Sequence, residues 1–300
     1  MAAAPRRGRR GCEAALDRSG FCFQRLELLW QITLLPMKIQ FTKMHGAGND
    51  FIMVDDRAMT FPVGDTAFIQ RVACRRTGIG CDGIILLQPS EPADLCMRFI
   101  NPDGTEQDMC GNGARCLARM AYDLGAVPAC MKIETRAGVV CAEVLGDQVR
   151  LILTDPSDWR FDLDAGMEWP VDFVNTGVPH AVVRVEELER LDLPRLGSRL
   201  RHHELFMPEG TNANFVKVEA DATLSIRTYE RGVEAETLAC GTGATAVAVL
   251  AARHGWVKLP VAVHCAGGYD LVIDLNEGAT TLTGSAITVF DGEVEYGNRV

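Results

Sequence analysis

From residue 37 onward the chain alternates short apolar runs with clusters of Gly, Pro, Asp and Asn, a rhythm that predicts strands far more often than helices. Strands are expected at 38–43, 51–55, 84–87, 97–101, 139–145 and 149–153, then at 171–175, 181–185, 214–219, 224–229, 261–265, 271–275 and 281–289. A helix is expected over 65–75, with Phe68, Ile69 and Val72 on one face. Helical spacing returns after Cys110, where Ala114, Leu117, Ala118, Ala121 and Leu124 share a face and Gly125 supplies the stop. After Cys240 the run 244–252 is apolar nearly all round and ends at Gly255. A helix with no polar face must be enclosed, so the pattern predicts an α+β fold in which sheet wraps a central helix. Residues 146–172, with Pro156, Gly166 and Pro170, are the expected crossover.

The two apolar helices belong to a duplication. The offset of 130 that carries Cys110 onto Cys240 also carries Gly80 onto Gly210, Glu106 onto Glu236, Gly113 onto Gly243, Ala118 onto Ala248 and Gly125 onto Gly255, with no gap needed. Phe99 meets Tyr229, and the run 51–54 meets 181–184. Two pseudo-symmetric lobes follow, 37–155 and 156–300, each a mostly antiparallel sheet around its helix, with the active site in the cleft between them.

Composition narrows the function classes. Three hundred residues suffice for a core in each lobe. Residues 1–36 carry six arginines against three acids, which leaves the remainder well below the overall net charge of −10. An acidic body without a basic run disfavours nucleic acid as a partner. The eleven cysteines include no Cys-x-x-Cys pair and no accompanying His cluster, which reads as reduced thiols in the cytoplasm, with neither a disulfide framework nor a metal site. Residues 1–36, with the short apolar stretch 28–35, read as an extension outside the fold, an organellar transit peptide being the alternative. No membrane span is expected.

The candidate chemistry sits at the helix starts. A thiol there meets unpaired amides and the positive end of the helix dipole, so its pKa is expected to fall below the ordinary value. Bare backbone at Gly111 and Asn112, and at Gly241 and Thr242, can hold a carboxylate close to each sulfur. Two thiols of similar environment on opposite faces of one carbon suit removal of a proton on one side and return on the other, with no cofactor. Gly-rich turns into helices also bind phosphate, and paired thiols also serve redox chemistry; the residues alone leave both open, although neither Cys-x-x-Cys nor Lys-Ser/Thr after the glycines is present.

The motifs 44–51 (MHGAGNDF), 78–83 (GIGCDG), 99–104 (FINPDG), 110–116 (CGNGARC), 229–232 (YERG) and 236–243 (ETLACGTG) resemble the diaminopimelate epimerase family, over about residues 37–296. The resemblance implies catalysis by Cys110 and Cys240 without pyridoxal phosphate or metal. It implies substrate contacts from Asn49, Asn101, Asn212, Glu230 and Arg231, with His180 and Glu230 tuning the thiols and orienting the substrate's α-ammonium group. The implied reaction converts LL- to meso-2,6-diaminopimelate in lysine and peptidoglycan synthesis, with a small-molecule substrate as partner and a homodimer left open. A proline racemase-like enzyme is the alternative on the same fold, and Arg231 with the asparagines argues against it. Arg115 and Arg119 read as solvated or structural. Gly83 and Val178 depart from the family pattern, which has Gln and Asn there; Asn175 is a candidate substitute.

Overall fold

A computed structural model describes residues 37–276 and 278–297; the expectations for 1–36 lie outside the described residues. The apolar runs become eighteen strands of one hydrogen-bonded sheet. The first half runs β1 (Met37–Gly46), β2 (Asn49–Asp55), α1 (Thr66–Ala73), β3 (Gly83–Gln88), β4 (Leu95–Ile100), β5 (Glu106–Gln107), α2 (Gly111–Asp123), β6 (Cys130–Thr135), β7 (Gly138–Leu145), β8 (Gln148–Ile152) and β9 (Ser157–Leu163). The second half repeats it: β10 (Val171–Asn175), β11 (Pro179–Arg184), α3 (Leu193–Arg201), β12 (Asn212–Val218), β13 (Leu224–Glu230), β14 (Ala235–Thr237), α4 (Gly241–Arg253), β15 (Val261–Cys265), β16 (Asp270–Asn276), β17 (Ala279–Ser285) and β18 (Ile287–Tyr296).

Pairing repeats as faithfully as element order. In each lobe a parallel pair follows the first helix (β2·β3 and β11·β12) and a second follows the central helix (β4·β6 and β13·β15), because a helical crossover returns the chain in the same direction. The other pairs within each lobe are antiparallel hairpins. Apolar side chains of α2 pack with Met53, Ile85, Met97, Ile133 and Leu151 in one core. Those of α4 pack with Val182, Val216, Ile226, Val263 and Leu282 in another, buried from Gly243 to Ala251 as a helix with no polar face requires.

The lobes are stitched together rather than merely adjacent. β9 pairs with β10, the opening strand of the other lobe, and β18 pairs with β1, where Gln40 bonds Glu293 at 2.5 Å and Thr42 bonds Asp291 at 2.7 Å. β8 and β17 then pair antiparallel across the middle of the molecule. The gap-free repeat needs one correction here. Ile133 faces Val140 in the β6·β7 hairpin, whereas Val263 faces Leu271 in β15·β16, so the second turn holds one extra residue and the offset becomes 131 beyond it. By that offset Leu151 and Leu282 are equivalents, and they are direct partners in β8·β17. The pseudo-two-fold axis therefore passes through the Leu151–Leu282 pair.

Five elements were not predicted: the strands β6 and β9, the short strands β5 and β14, and the helix α3. The expected crossover at 146–172 holds β8, β9 and the start of β10, and only 153–156 and 164–170 lie outside helices and strands apart from the turn at 146–147. The run 281–289 is two strands, broken after Ser285 where the chain passes from one lobe's sheet to the other. The expected helix at 65–75 is Thr66–Ala73, started by Asp65, whose carboxylate accepts from the Phe68 amide at 3.0 Å.

Candidate functional site

Cys110 and Cys240 are the residues immediately before α2 and α4, both in extended backbone. A Cβ on Gly111 would stand 4.0 Å from Leu151 Cδ1, and one on Gly241 would stand 3.1 Å from Leu282 Cδ1. Each helix start thus rests on its own member of the pair that marks the pseudo-dyad, and the two motifs flank that axis as equivalents.

Around Cys110 the sulfur accepts from the Gly113 amide at 3.5 Å and donates to Asn49 Oδ1 at 3.5 Å. Asn112 Nδ2 donates to the same oxygen at 3.3 Å. Asn49 is held in that orientation from behind, because its Nδ2 donates to Asp82 at 2.7 Å. Asp82 also accepts from the Asp50 amide and pairs with Arg75 at 2.6 Å, while Asp50 pairs with Arg75 and with Lys43, each at 2.5 Å. Against the opposing effect of burial, these two cations hold Asp50 down at about 2. Around Cys240 the partners differ: the sulfur lies 3.5 Å from Thr242 Oγ1, and Thr176 Oγ1 donates to the Thr242 carbonyl at 3.0 Å. Gly46 is the equivalent of Thr176, and its bare Cα approaches the equivalent carbonyl of Asn112 so closely that a Cβ would lie 2.8 Å from it.

The thiols do not show the depressed pKa expected from their position. Each keeps a little accessible surface but is ringed by protein, and burial pushes both up. At Cys110 the Gly113 amide and Arg115 oppose the rise. Cys240 reaches about 12, because the Glu230 carboxylate adds to burial and only Thr242 and the Gly243 amide oppose. Desolvation of a thiolate outweighs one or two amides at a helix start. The expectation of similar environments fails with it. Glu230 acts on both sulfurs and is itself raised by burial; the Thr237 hydroxyl beside it counters this, without making a bond of good geometry.

His180 lies in β11 with no exposed surface, and burial drives it down to about 3, which keeps the ring neutral. Asn214 Nδ2 stands 3.1 Å from its Nδ1, an acceptor in the tautomer this bond selects, so Nε2 carries the proton. Among the described residues that Nε2 has no partner, so it is a buried donor without an acceptor there. Asn212 bridges backbone on both sides: its Nδ2 donates to the Pro179 carbonyl at 3.0 Å and its Oδ1 accepts from the Arg231 amide at 2.8 Å. It positions Arg231 and retains one N–H. The Arg231 guanidinium donates to the Glu209 carbonyl at 3.4 Å, its one bond among the described residues. Asn101 spends its Nδ2 on Thr105 at 2.9 Å within the β4–β5 turn.

The departures from the family pattern have physical reasons in one case. A Cβ on Gly83 would lie 2.1 Å from Phe99 Cε2, so the Phe99 ring occupies the space a side chain there would need. Asn175 does not replace the contact at Val178 freely, since its Oδ1 accepts from the Gly177 amide at 2.9 Å. Arg119 is structural, paired with Asp123 at 2.7 Å. Arg115, read as solvated or structural, is fully buried beside Cys110 and is the residue whose importance the sequence understated. Its signal was its place one turn from the start of α2, at the end where a cation opposes the helix dipole. Among the described residues no group of His, Cys, Asp or Glu side chains is arranged to hold a metal ion, and no helix is long and apolar enough to cross a membrane.

A sequence model of the family described as diaminopimelate epimerase matches residues 41–158 and 173–289. The diaminopimelate epimerase of Aquifex aeolicus is 44% identical over 273 residues, spanning 85% of this chain and 98% of its own. That of Archaeoglobus fulgidus is 41% identical over 274 residues, spanning 85% and 96%. In fold, the chain is similar to a PhzF-family phenazine biosynthesis protein from Bacillus anthracis, with TM-score 0.66, 17% identity and coverage of 86% and 99%. A hydroxyproline epimerase from Agrobacterium vitis aligns with TM-score 0.61, 18% identity and coverage of 87% and 93%.

Proposed function

Since the chain belongs to the diaminopimelate epimerase family of isomerases, we propose that it interconverts LL- and meso-2,6-diaminopimelate by a two-base proton transfer between Cys110 and Cys240. The observation that carries this reading is the placement of the two cysteines at equivalent helix starts on either side of the Leu151–Leu282 axis. One sulfur, as thiolate, takes the α-proton; the other, as thiol, delivers its proton to the opposite face, and the pair exchanges roles in the reverse direction. The amides of Gly111, Asn112, Gly241 and Thr242 hold the α-carboxylate, where preorganised donors stabilise the charge that develops as the proton leaves. Both thiols are raised by burial, so thiolate formation depends on the charge and donors brought together when substrate fills the cleft.

Distal recognition falls to Arg231, which can fork onto a carboxylate, with Asn49, Asn101 and the remaining N–H of Asn212. Glu230 takes the α-ammonium group, and the orphan Nε2–H of His180 finds its acceptor on the substrate. In this reading β9 counts with the second lobe whose sheet it joins, so the lobes divide at 155/156, the cytoplasm is the site of action, and the product feeds lysine and peptidoglycan synthesis.

Turnover of LL-diaminopimelate in deuterated water, followed by mass spectrometry, tests the mechanism. Early product should carry one deuterium at the inverted carbon while unreacted substrate carries none. Product that retains protium at early times would mean one base shuttles a single proton. Turnover of proline, with none of diaminopimelate, would transfer the site to the racemase alternative.

A further inference from the structure

Arg115 has no exposed surface, and among the described residues no carboxylate pairs with it. Its guanidinium donates to Asn112 Oδ1 at 2.8 Å, to the Ser285 carbonyl at 3.4 Å and to the Gly111 carbonyl at 3.5 Å. Two glycines make room for it: a Cβ on Gly46 would stand 3.3 Å from Nη2, and one on Gly284 would stand 3.2 Å from Nε. A buried guanidinium stays charged, and leaving it without a counter-ion is expensive. Its place one turn into α2, with its guanidinium reaching back to the Gly111 carbonyl, adds to that expense, because the helix dipole is positive at that end. The equivalent position in the other lobe is Thr245, which satisfies the equivalent carbonyl of Gly241 at 2.9 Å with no charge at all. Capping that carbonyl therefore does not require an arginine.

We propose that Arg115 is a positioning residue that breaks the symmetry of the thiol pair, so that the negative charge of the pair resides on Cys110 and the proton on Cys240. The inference rests on the two-base reading and refines it. Arg115 acts along two routes. Its field reaches Cys110 directly, and its bond to Asn112 fixes the amide that meets Asn49 beside the sulfur. Glu230 reaches both sulfurs, but after burial it is the foremost influence on Cys240 and only a minor one on Cys110, so it adds to the same bias. Asn49 Oδ1 works the other way, as an acceptor for the Cys110 proton. Cys240 faces Glu230, Thr242, the Gly243 amide and Cys265, and no cation is among the leading influences on it.

Alkylation of the substrate-free protein by iodoacetamide across a pH series, with each cysteine quantified by peptide mass spectrometry, reads the two thiolates separately. Cys110 should alkylate with a midpoint at least about one pH unit below that of Cys240, the scale on which a nearby opposite charge acts. In Arg115→Met the Cys110 midpoint should rise by about one unit or more, while that of Cys240 does not rise. Arg115→Lys, which keeps the charge and loses the fork, should retain most of the low midpoint. Equal midpoints in the unaltered protein, Cys240 reacting at the lower pH, or an unmoved Cys110 midpoint in folded Arg115→Met would each overturn the proposal. A lysine variant that behaves like the methionine variant would overturn the role of charge. If Arg115→Met does not fold, the order of midpoints in the unaltered protein and the lysine variant decide. No substrate is present in this assay, so its failure is distinct from failure of the two-base reading, which loss of one cysteine tests through turnover.

Discussion

At the scale of single residues, Cys110 and Cys240 occupy equivalent helix starts yet face different groups, Arg115 and Asn49 on one side and Thr242 and Glu230 on the other. Replacing either by Ala should lower epimerase turnover by at least about 100-fold, the lower end of what one positioned acid or base contributes. A Cys240→Ala protein that turns over normally would exclude it as a proton carrier. Cys240 also predicts a pH dependence of stability. Its pKa is raised by burial from an ordinary 9.0 to about 12, so the fold prefers the neutral thiol. That contribution is complete below pH 9 and is lost as pH climbs toward 12. The difference in unfolding midpoint between parent and Cys240→Ala should be flat below pH 9 and shift against the parent above it; parallel profiles would contradict the assignment. For Arg231→Lys we expect a loss chiefly in KM, about tenfold or more, because an ammonium lacks the planar two-pronged contact. Unchanged diaminopimelate affinity would remove Arg231 from the distal clamp.

Elements hold these residues in place through glycines against which neighbouring side chains pack closely. Gly113 lies in the first turn of α2, and a Cβ there would stand 2.4 Å from Ile85 Cδ1 and 3.1 Å from Met97 Cε, so β3 and β4 press directly on the helix start. Gly113→Ala should destabilise the protein by about 1–3 kcal/mol through overpacking. It should lower turnover as well, since the displaced turn carries Cys110. Chemical denaturation beside an activity assay checks both, and a variant with parental stability would show that the helix start yields more freely than the packing implies. The same close approach recurs at Gly243, where a Cβ would lie 2.6 Å from Asn214 Oδ1, the residue whose amide fixes the tautomer of His180.

For the whole molecule, the exchanged strands decide how it unfolds. β9 completes the sheet of the second lobe, β18 that of the first, and β8·β17 joins them along the axis. Neither lobe keeps its pairing if the other unfolds. A single cooperative calorimetric transition is expected for Ile39–Val294, coincident by near- and far-ultraviolet circular dichroism. Two resolved transitions would show that each lobe is stable alone. The cooperativity bears on function, because the cleft is defined by the relation between two helix starts.

How much of this was legible from the residues follows the range of each interaction. Apolar periodicity and the offset of 130 are local or one-dimensional signals, and they were enough for the strands, both central helices, the two-lobed α+β fold and the pairing of Cys110 with Cys240 as equivalents. Two of the missed elements were available from the same repeat: β15, shifted back by 130, falls on β6, and the helix at 65–75, shifted forward, falls on α3. β9 does carry a period-2 alternation, Trp159, Phe161 and Leu163 between polar residues, but it is only slightly buried and lies between Pro156 and Gly166, whose turn signals read as a crossover. The ionisation of the thiols was beyond reach, because a helix start is written in the sequence but the depth of protein around it is not. Likewise the motif showed an arginine after Cys110, while its total burial, its missing counter-ion and its reach to Ser285 depend on chain segments 170 residues apart meeting across the pseudo-dyad. The sequence determined that there are two thiols and where each stands on its helix; only the tertiary structure made them unequal, because desolvation and buried charge are properties of the assembled neighbourhood.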